Sequence, residues 1–282
     1  MPPADTPPLA LANDIATLFG ALPQVEAVAL GGSQACGSPD VTSDIDLYIY
    51  TSAPISLEER QRIVDQTGGA SRASLDLPYW GPGDEWYHAP TGIEVDIVYF
   101  EAEWMEAQIY RLLRDHQPSL GYTTCFWHTL LTSVVLHDPH SWFTRLQDFA
   151  RQDYPETLRQ RIISFNHPVL RGVIPAYAHQ IEKAVRRGDR VSVNHRTAAL
   201  LASYFDVLFA LNRLPHPGEK RLADFTLRNC KLLPDQFEAD LNAVLLASGS
   251  ASPDVNLAVT RLLDHLDKLL ENEGVIANSE PL

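Results

Sequence analysis

The sequence predicts an α+β chain in two parts, a strand-bearing domain over residues 1–120 and a bundle of helices over residues 121–282. Three observations predict it. Short apolar runs of strand length, at Val25–Leu30, Ile45–Tyr50 and Ile93–Phe100, all fall in the first part. Beyond Asp138-Pro139, apolar residues recur at i, i+3 and i+4 nearly to the end. The breaks between these later segments are helix-stop signals, among them Asp153-Tyr154-Pro155, Gly188-Asp189 and Leu214-Pro215-His216-Pro217-Gly218. Helices with only one another to cover their apolar stripes pack as a bundle.

Taken in order, Leu11, Ile15, Leu18, Phe19 and Leu22 give an opening helix over Leu9–Leu22, preceded by a proline-rich segment expected to be a disordered tail. The strand Val25–Leu30 runs into Gly31-Gly32-Ser33, a turn where the backbone can approach a ligand closely, and a second strand ends near Thr51. Ser56 followed by Glu58-Glu59 starts a helix that Gly68-Gly69 stops. Leu75–Tyr79 reads as a short strand. Trp80–His88 reads as a turn-rich aromatic segment whose rings line a pocket or cover a sheet edge, and His88 is weighed toward a structural or solvent-facing role over a functional one. Gly92–Phe100 alternates acids with aliphatics and is a strand. Glu103–His116 is helical and leads into the second part, and Thr123–Leu131 is a helix closed by a turn at Val134–Pro139. Helices follow around 140–151, 155–165, 169–187, 192–213, 219–231, 235–247 and 254–271, with a frayed tail after Asn272.

Composition narrows the functional classes. No apolar run reaches the ~20 residues of a membrane span, and the N-terminus lacks the basic start of a signal peptide, so a cytoplasmic location is the expectation. Three widely separated cysteines, Cys36, Cys125 and Cys230, suit neither a disulfide framework nor a zinc site and are expected to be reduced thiols. The net charge is −14, and it is uneven: residues 1–120 hold five basic against 18 acidic residues, with no lysine before Lys183. An acidic first part repels a nucleic-acid backbone and attracts cations, which argues against nucleic acid as a partner.

The chemistry concentrates at Gly31-Gly32-Ser33 and at Asp44 and Asp46. Two residues apart on a strand, both carboxylates point to one face while Ile45 and Leu47 point to the other. Carboxylates held together repel, and a hard cation such as Mg²⁺ compensates them. Asp96 supplies a third acid on the later strand, with Glu94 on the same face. This pattern, over residues 30–50 and 92–100, resembles the DNA polymerase β-like nucleotidyltransferase superfamily. With a helical second domain, it resembles in particular the branch containing the aminoglycoside nucleotidyltransferases. The resemblance implies a mixed sheet in the first domain, metals on Asp44, Asp46 and Asp96, and Gly32 and Ser33 on the nucleotide's phosphates.

In the second part, Pro217-Gly218-Glu219-Lys220-Arg221 reads as a helix opening, whose N–H groups and dipole attract anions. The resemblance implies that Lys220 meets the triphosphate. Arg186, Arg187, Arg190 and Arg196 read as a solvated cluster. The implied reaction is Mg²⁺-dependent transfer of a nucleoside monophosphate, from ATP or another nucleoside triphosphate, to an acceptor hydroxyl, with release of pyrophosphate and with Asp96 or Glu94 as general base. The acidic first part, with Asp76, Asp84, Glu85, Glu101, Glu103 and Glu106 as candidate wall residues, favours a small cationic acceptor such as an aminoglycoside. The competing classes are a non-catalytic, antitoxin-like member of the fold and an enzyme that nucleotidylates a protein or tRNA. Oligomeric state is left open.

Overall fold

The computed structural model describes residues 7–32, 44–79 and 81–277. Ser33 and Cys36 therefore lie outside the described residues. The chain divides into two compact units, one from Met1–Tyr110 with Thr129–Gln152 and the other from Arg111–His128 with Asp153–Leu282. The architecture is α+β, as the residue pattern predicts, with the sheet in the first unit and a helical second unit.

The first unit is built on a six-stranded mixed sheet of β1 (Val25–Leu30), β2 (Ile45–Thr51), β3 (Ala70–Leu77), β4 (Gly83–His88), β5 (Glu94–Glu101) and β6 (Val134–His137), in the order β3-β4-β5-β2-β1-β6. The β2–β5 pair is parallel, whereas β1–β2, β1–β6, β3–β4 and β4–β5 are antiparallel. Helices α1 (Pro7–Gly20) and α2 (Leu57–Gln66) belong to the core side. There Leu11, Ile15 and Phe19 of α1 and Ile63 and Val64 of α2 form one buried cluster with Val28, Leu30, Ile45, Leu47, Ile49, Val95 and Ile97 of the strands. The start of α2 is the capping box its sequence suggests: Ser56 Oγ accepts from the Glu59 amide, and the Glu59 carboxylate accepts from the Ser56 amide.

Three elements of the sheet differ from the sequence reading. The segment Trp80–His88 is not all turn, because β4 occupies Gly83–His88, with Asp84, Trp86 and His88 buried and Tyr87 exposed between them. The period-2 signal is present there, but Gly81-Pro82-Gly83 just before it reads as loop. The short strand of Leu75–Tyr79 is the longer β3, starting at Ala70, and most of its residues are exposed because it is an edge strand. Val134–His137, taken as part of a turn, is the edge strand β6 against β1. His88 has a structural role: its ring bridges Thr91 Oγ1 and the Thr67 carbonyl, each at 2.7 Å.

In the remaining helices the chain follows its apolar periodicity: α3 (Ala102–Leu113), α4 (Cys125–Thr132), α5 (Trp142–Ala150), α6 (Glu156–His167), α7 (Tyr177–Arg186), α8 (Arg190–Asn212), α9 (Leu222–Asn229), α10 (Phe237–Ser248) and α11 (Asp254–Asn272). The expected single helix 169–187 is broken. Pro168–Gly172 forms a π-helical turn, and α7 begins only after Pro175, which lacks an N–H and holds its neighbours out of the helix. In the second unit α8 is central. Residues Ser203 to Leu211 are all buried, as happens when a helix is covered on every side. Arg171 and His167 both reach Asp267 of α11, fastening the end of α6 to the last helix. Among the described residues no helix is long and apolar enough to cross a membrane.

Candidate functional site

Strand register assembles the candidate site. Asp46 of β2 lies opposite Asp96 of β5, and Asp96 lies opposite Glu85 of β4, which in turn lies opposite Ser74 of β3. Directly paired residues share a face, with neighbouring strands ~4.8 Å apart, so these four side chains form one row across the sheet. A second row, Glu94, Tyr87 and Arg72, lies beside it on the same face. The intervening residues Ile45, Leu47, Val95 and Ile97 are fully buried on the core side, which fixes the carboxylates on the other. Glu85 was not among the residues the sequence pointed to as a partner of Asp96. Alternation in β4 gives its face, but only pairing with β5 gives its neighbour.

The far end of this face is closed by aromatic rings of the same unit. Tyr50 packs on Phe100, Trp142 and Phe143 with centroids 4.9–5.8 Å apart, and Trp104 stacks on Phe100. Burial pushes the Tyr50 phenol far up, so it is a neutral core group. The carboxylates therefore occupy the polar end of a face whose other end is hydrophobic.

The two glycines after β1 are fitted to this row. The Gly31 amide donates to the Asp46 carbonyl at 2.8 Å, and a Cβ on Gly31 would stand 2.3 Å from the Tyr48 ring. Gly32 has φ +62°, and its Cβ would fall 1.7 Å from Asp46 Oδ2. The Asp46 carboxylate thus fills the space that any other residue at position 32 would need, in a backbone region that glycine alone enters cheaply. Asp44 is exposed and immediately precedes β2. Among the described residues no three His, Cys, Asp or Glu side chains converge as a ready-made metal cage. What the fold brings abreast is Asp46 with Asp96.

One expected wall residue moves to the interior. Asp84, 1 % exposed, faces the core, where it accepts from Arg60 Nη1 at 2.8 Å, from the Tyr99 hydroxyl at 2.6 Å and from the Asp76 amide at 2.8 Å. Arg60 Nη2 also holds Asp76. A carboxylate buried to that degree needs such partners, so Asp84 braces α2 on the sheet and adds nothing to an acidic wall. A groove of about 710 Å³ between α2 and β3 lies on this opposite face, and its polar residues pair with one another, Arg62 with Glu58 as an ion pair and the Gln61 amide donating to Asp65.

In the second unit Lys220 is exposed and belongs to a turn, not to a helix. Arg221 is left-handed at φ +51°, and α9 starts only at Leu222, so the expected helix opening at Pro217-Gly218 is displaced by four residues. The loop before Lys220 is anchored by His216, which is fully buried. Its amide donates to Thr124 Oγ1 at 2.7 Å, and its Nδ1 accepts from the Gly218 amide at 3.0 Å. Burial pushes the His216 imidazole down to about 4, aided by the nearby His128. Cys125 Sγ is 3.5 Å from His216 Nδ1, but burial pushes that thiol up to about 12, so it is not a nucleophile at neutral pH. Burial likewise pushes the Asp206 carboxyl up to about 7, although Thr123 donates to it through both its amide and its hydroxyl. Arg186, Arg187, Arg190 and Arg196 are exposed.

Residues 124–221 match a family model described as a domain of unknown function (DUF4037). No curated protein matches the chain. Among solved structures, the chain is similar to the crystal structure of a nucleotidyltransferase-like protein from Exiguobacterium sibiricum 255-15, at 12% sequence identity and a TM-score of 0.43, over 94% of this chain and 74% of that one. A likeness at that level carries no functional weight by itself.

Proposed function

We propose that the protein is a Mg²⁺-dependent nucleotidyltransferase that moves a nucleoside monophosphate from a nucleoside triphosphate, ATP in the first instance, to a hydroxyl of a small acceptor. The observation that carries this reading is the fit of Gly32 against the Asp46 carboxylate with Asp96 abreast of it. Close approach of backbone to a ligand is what glycine permits, and here the glycine turn lies beside the acid row.

The donor set suits Mg²⁺, which is ordinarily held by one or two carboxylates together with substrate phosphates and waters. Asp46 and Asp96 would hold the ion, with Asp44 as a further ligand at the exposed start of β2. When bound, the metal supplies charge neutralisation for the attacking and leaving oxygens of an in-line displacement. Gly32 and Ser33 would bind the phosphates. Lys220 would add positive charge on the triphosphate, which the acidic first 120 residues lack. Asp96, or Glu94 two residues earlier on the same face, would receive the acceptor's proton. The acceptor we favour is small and cationic, an aminoglycoside being one such molecule, because the face carries Glu85 and Glu94 beyond the proposed metal ligands.

The test is a thermal melt with and without Mg²⁺ and ATP, coupled to pyrophosphate release with a panel of hydroxylated acceptors. Wild-type protein gains stability from the pair of ligands, as a native-state ligand requires. Asp46→Asn and Asp96→Asn lose that gain and the pyrophosphate while keeping the metal-free fold. A wild-type protein indifferent to millimolar Mg²⁺ with ATP refutes the reading.

A further inference from the structure

The glycines and the metal carboxylates account for one end of the polar face. The row Asp46, Asp96, Glu85, Ser74 crosses four strands, and Gly31-Gly32 touch it at the Asp46 end. At the opposite end, over β4 and β3, lies a cavity of about 120 Å³ lined by Arg72, Ser74, Glu85, Trp86, Tyr87 and Glu94. Its polar groups converge from three strands: two carboxylates, one guanidinium, one hydroxyl and one phenol. Glu94 beside Tyr87 raises the phenol, by hydrogen bond and by charge, so the Tyr87 hydroxyl is donated to Glu94. At this size the cavity takes one polar ring or arm of a ligand, being well below the ~300–1,000 Å³ of a pocket for a whole drug-sized molecule.

We propose that this cavity is the acceptor subsite, and that it takes the hydroxylated, amine-bearing end of a small molecule whose reacting hydroxyl lies over Asp96. The assignment rests on the nucleotidyl-transfer reading above. It follows from the order of groups along the row: the triphosphate belongs at the glycine end, so an acceptor that attacks in line arrives from the other end, across β5 and β4. The lining selects the ligand. Two carboxylates against one guanidinium leave net negative charge, which suits one ammonium group. Ser74 and Arg72 supply donors for hydroxyl oxygens, and the carboxylates accept from hydroxyl hydrogens.

Saturation-transfer NMR with glucosamine as the cationic probe and glucose as the neutral one tests this directly, on full-length protein with Mg²⁺ and ATP present. Glucosamine gives a signal with wild-type protein. Ser74→Trp, at an exposed strand position that tolerates a β-forming residue, fills the cavity and weakens glucosamine by about tenfold or more. Glu85→Gln removes one of the two carboxylates and lowers the preference for glucosamine over glucose by about tenfold, the loss of one charge-assisted contact. The stability gain from Mg²⁺ with ATP, read in parallel, reports the nucleotide site alone and persists in both variants. Absence of a glucosamine signal with wild-type protein that still responds to Mg²⁺ with ATP overturns the subsite and leaves the nucleotide reading standing. Glucosamine binding that neither variant alters overturns it equally.

Discussion

Gly32→Ala tests the geometry at the centre of the site. At φ +62° an alanine costs about 1–2 kcal/mol for entering the left-handed region. Its Cβ would also stand 1.7 Å from Asp46 Oδ2, so the carboxylate must turn out of its rotamer, at about 0.5–1.5 kcal/mol more. The expected total is therefore about 1.5–3.5 kcal/mol. The two contributions separate in a double-mutant cycle with Asp46→Ala, which removes the carboxylate and leaves the backbone strain. In that background Gly32→Ala costs only the backbone share, and the coupling between the sites is about 0.5–1.5 kcal/mol. Urea-dependent hydrogen exchange of the β2 amides in the four proteins measures the stability of the first unit by itself. Gly32→Ala also abolishes the stability gain from Mg²⁺ with ATP, because the displaced carboxylate no longer lies in the row with Asp96. Strict additivity of the two substitutions, or an undiminished response to Mg²⁺ with ATP in Gly32→Ala, refutes the claim that position 32 is glycine for the sake of Asp46. Gly31→Ala is the contrast: its Cβ meets the Tyr48 ring at 2.3 Å, so it overpacks a buried site and costs about 1–3 kcal/mol of fold stability whatever stands at position 46.

Lys220→Ala weakens triphosphate binding by about 1–3 kcal/mol and monophosphate binding much less, checked by calorimetric titration of ATP and AMP; equal losses for the two remove Lys220 from the phosphates. Arg60→Leu leaves Asp84 buried without its guanidinium and destabilises the first unit by about 3–5 kcal/mol, while Arg60→Leu with Asp84→Leu recovers most of it, read from denaturation midpoints. Asp206 and His216 give the second unit opposite pH slopes. The Asp206 carboxyl, raised to about 7, holds its proton more tightly in the folded chain, so its contribution is complete below the ordinary carboxyl value near ~3.9 and is lost as pH rises through 7. The His216 imidazole, lowered to about 4, resists protonation in the folded chain, so its contribution is present above ~6.5 and is lost as pH falls through 4. Asp206→Asn removes the falling limb and His216→Asn the rising one, measured as denaturation midpoints of the two variants between pH 4 and pH 8.

Much of the fold was legible because its signals are local. The helices after residue 140 follow their own apolar spacing, and the late start of α7 was missed by reading a helix through Pro175. Strand β4 was hidden because Gly81-Pro82-Gly83 outweighs a short alternating run in any window. The acids of β2 and β5 were legible as candidates because Ile45, Leu47, Val95 and Ile97 alternate with them and must be buried. Asp84 was misplaced because its outward-looking sequence context gives no sign of Arg60, 24 residues away, which neutralises it in the core.

By itself the sequence determined which residues share a strand face and where helices replace strands, since both depend on periods of two and 3.6 residues within one segment. It determined the charge imbalance between residues 1–120 and the rest of the chain. Only the tertiary structure decided which strand lies beside which. That choice put Asp46 opposite Asp96, extended the row to Glu85 and Ser74, and set Gly32 against a carboxylate 14 residues further along the chain. The physical reason is that pairing between strands is settled by burying one whole face of the sheet at once. A one-residue slip of any strand would turn its apolar set to the other face, so register is a property of the assembled core and of no single segment.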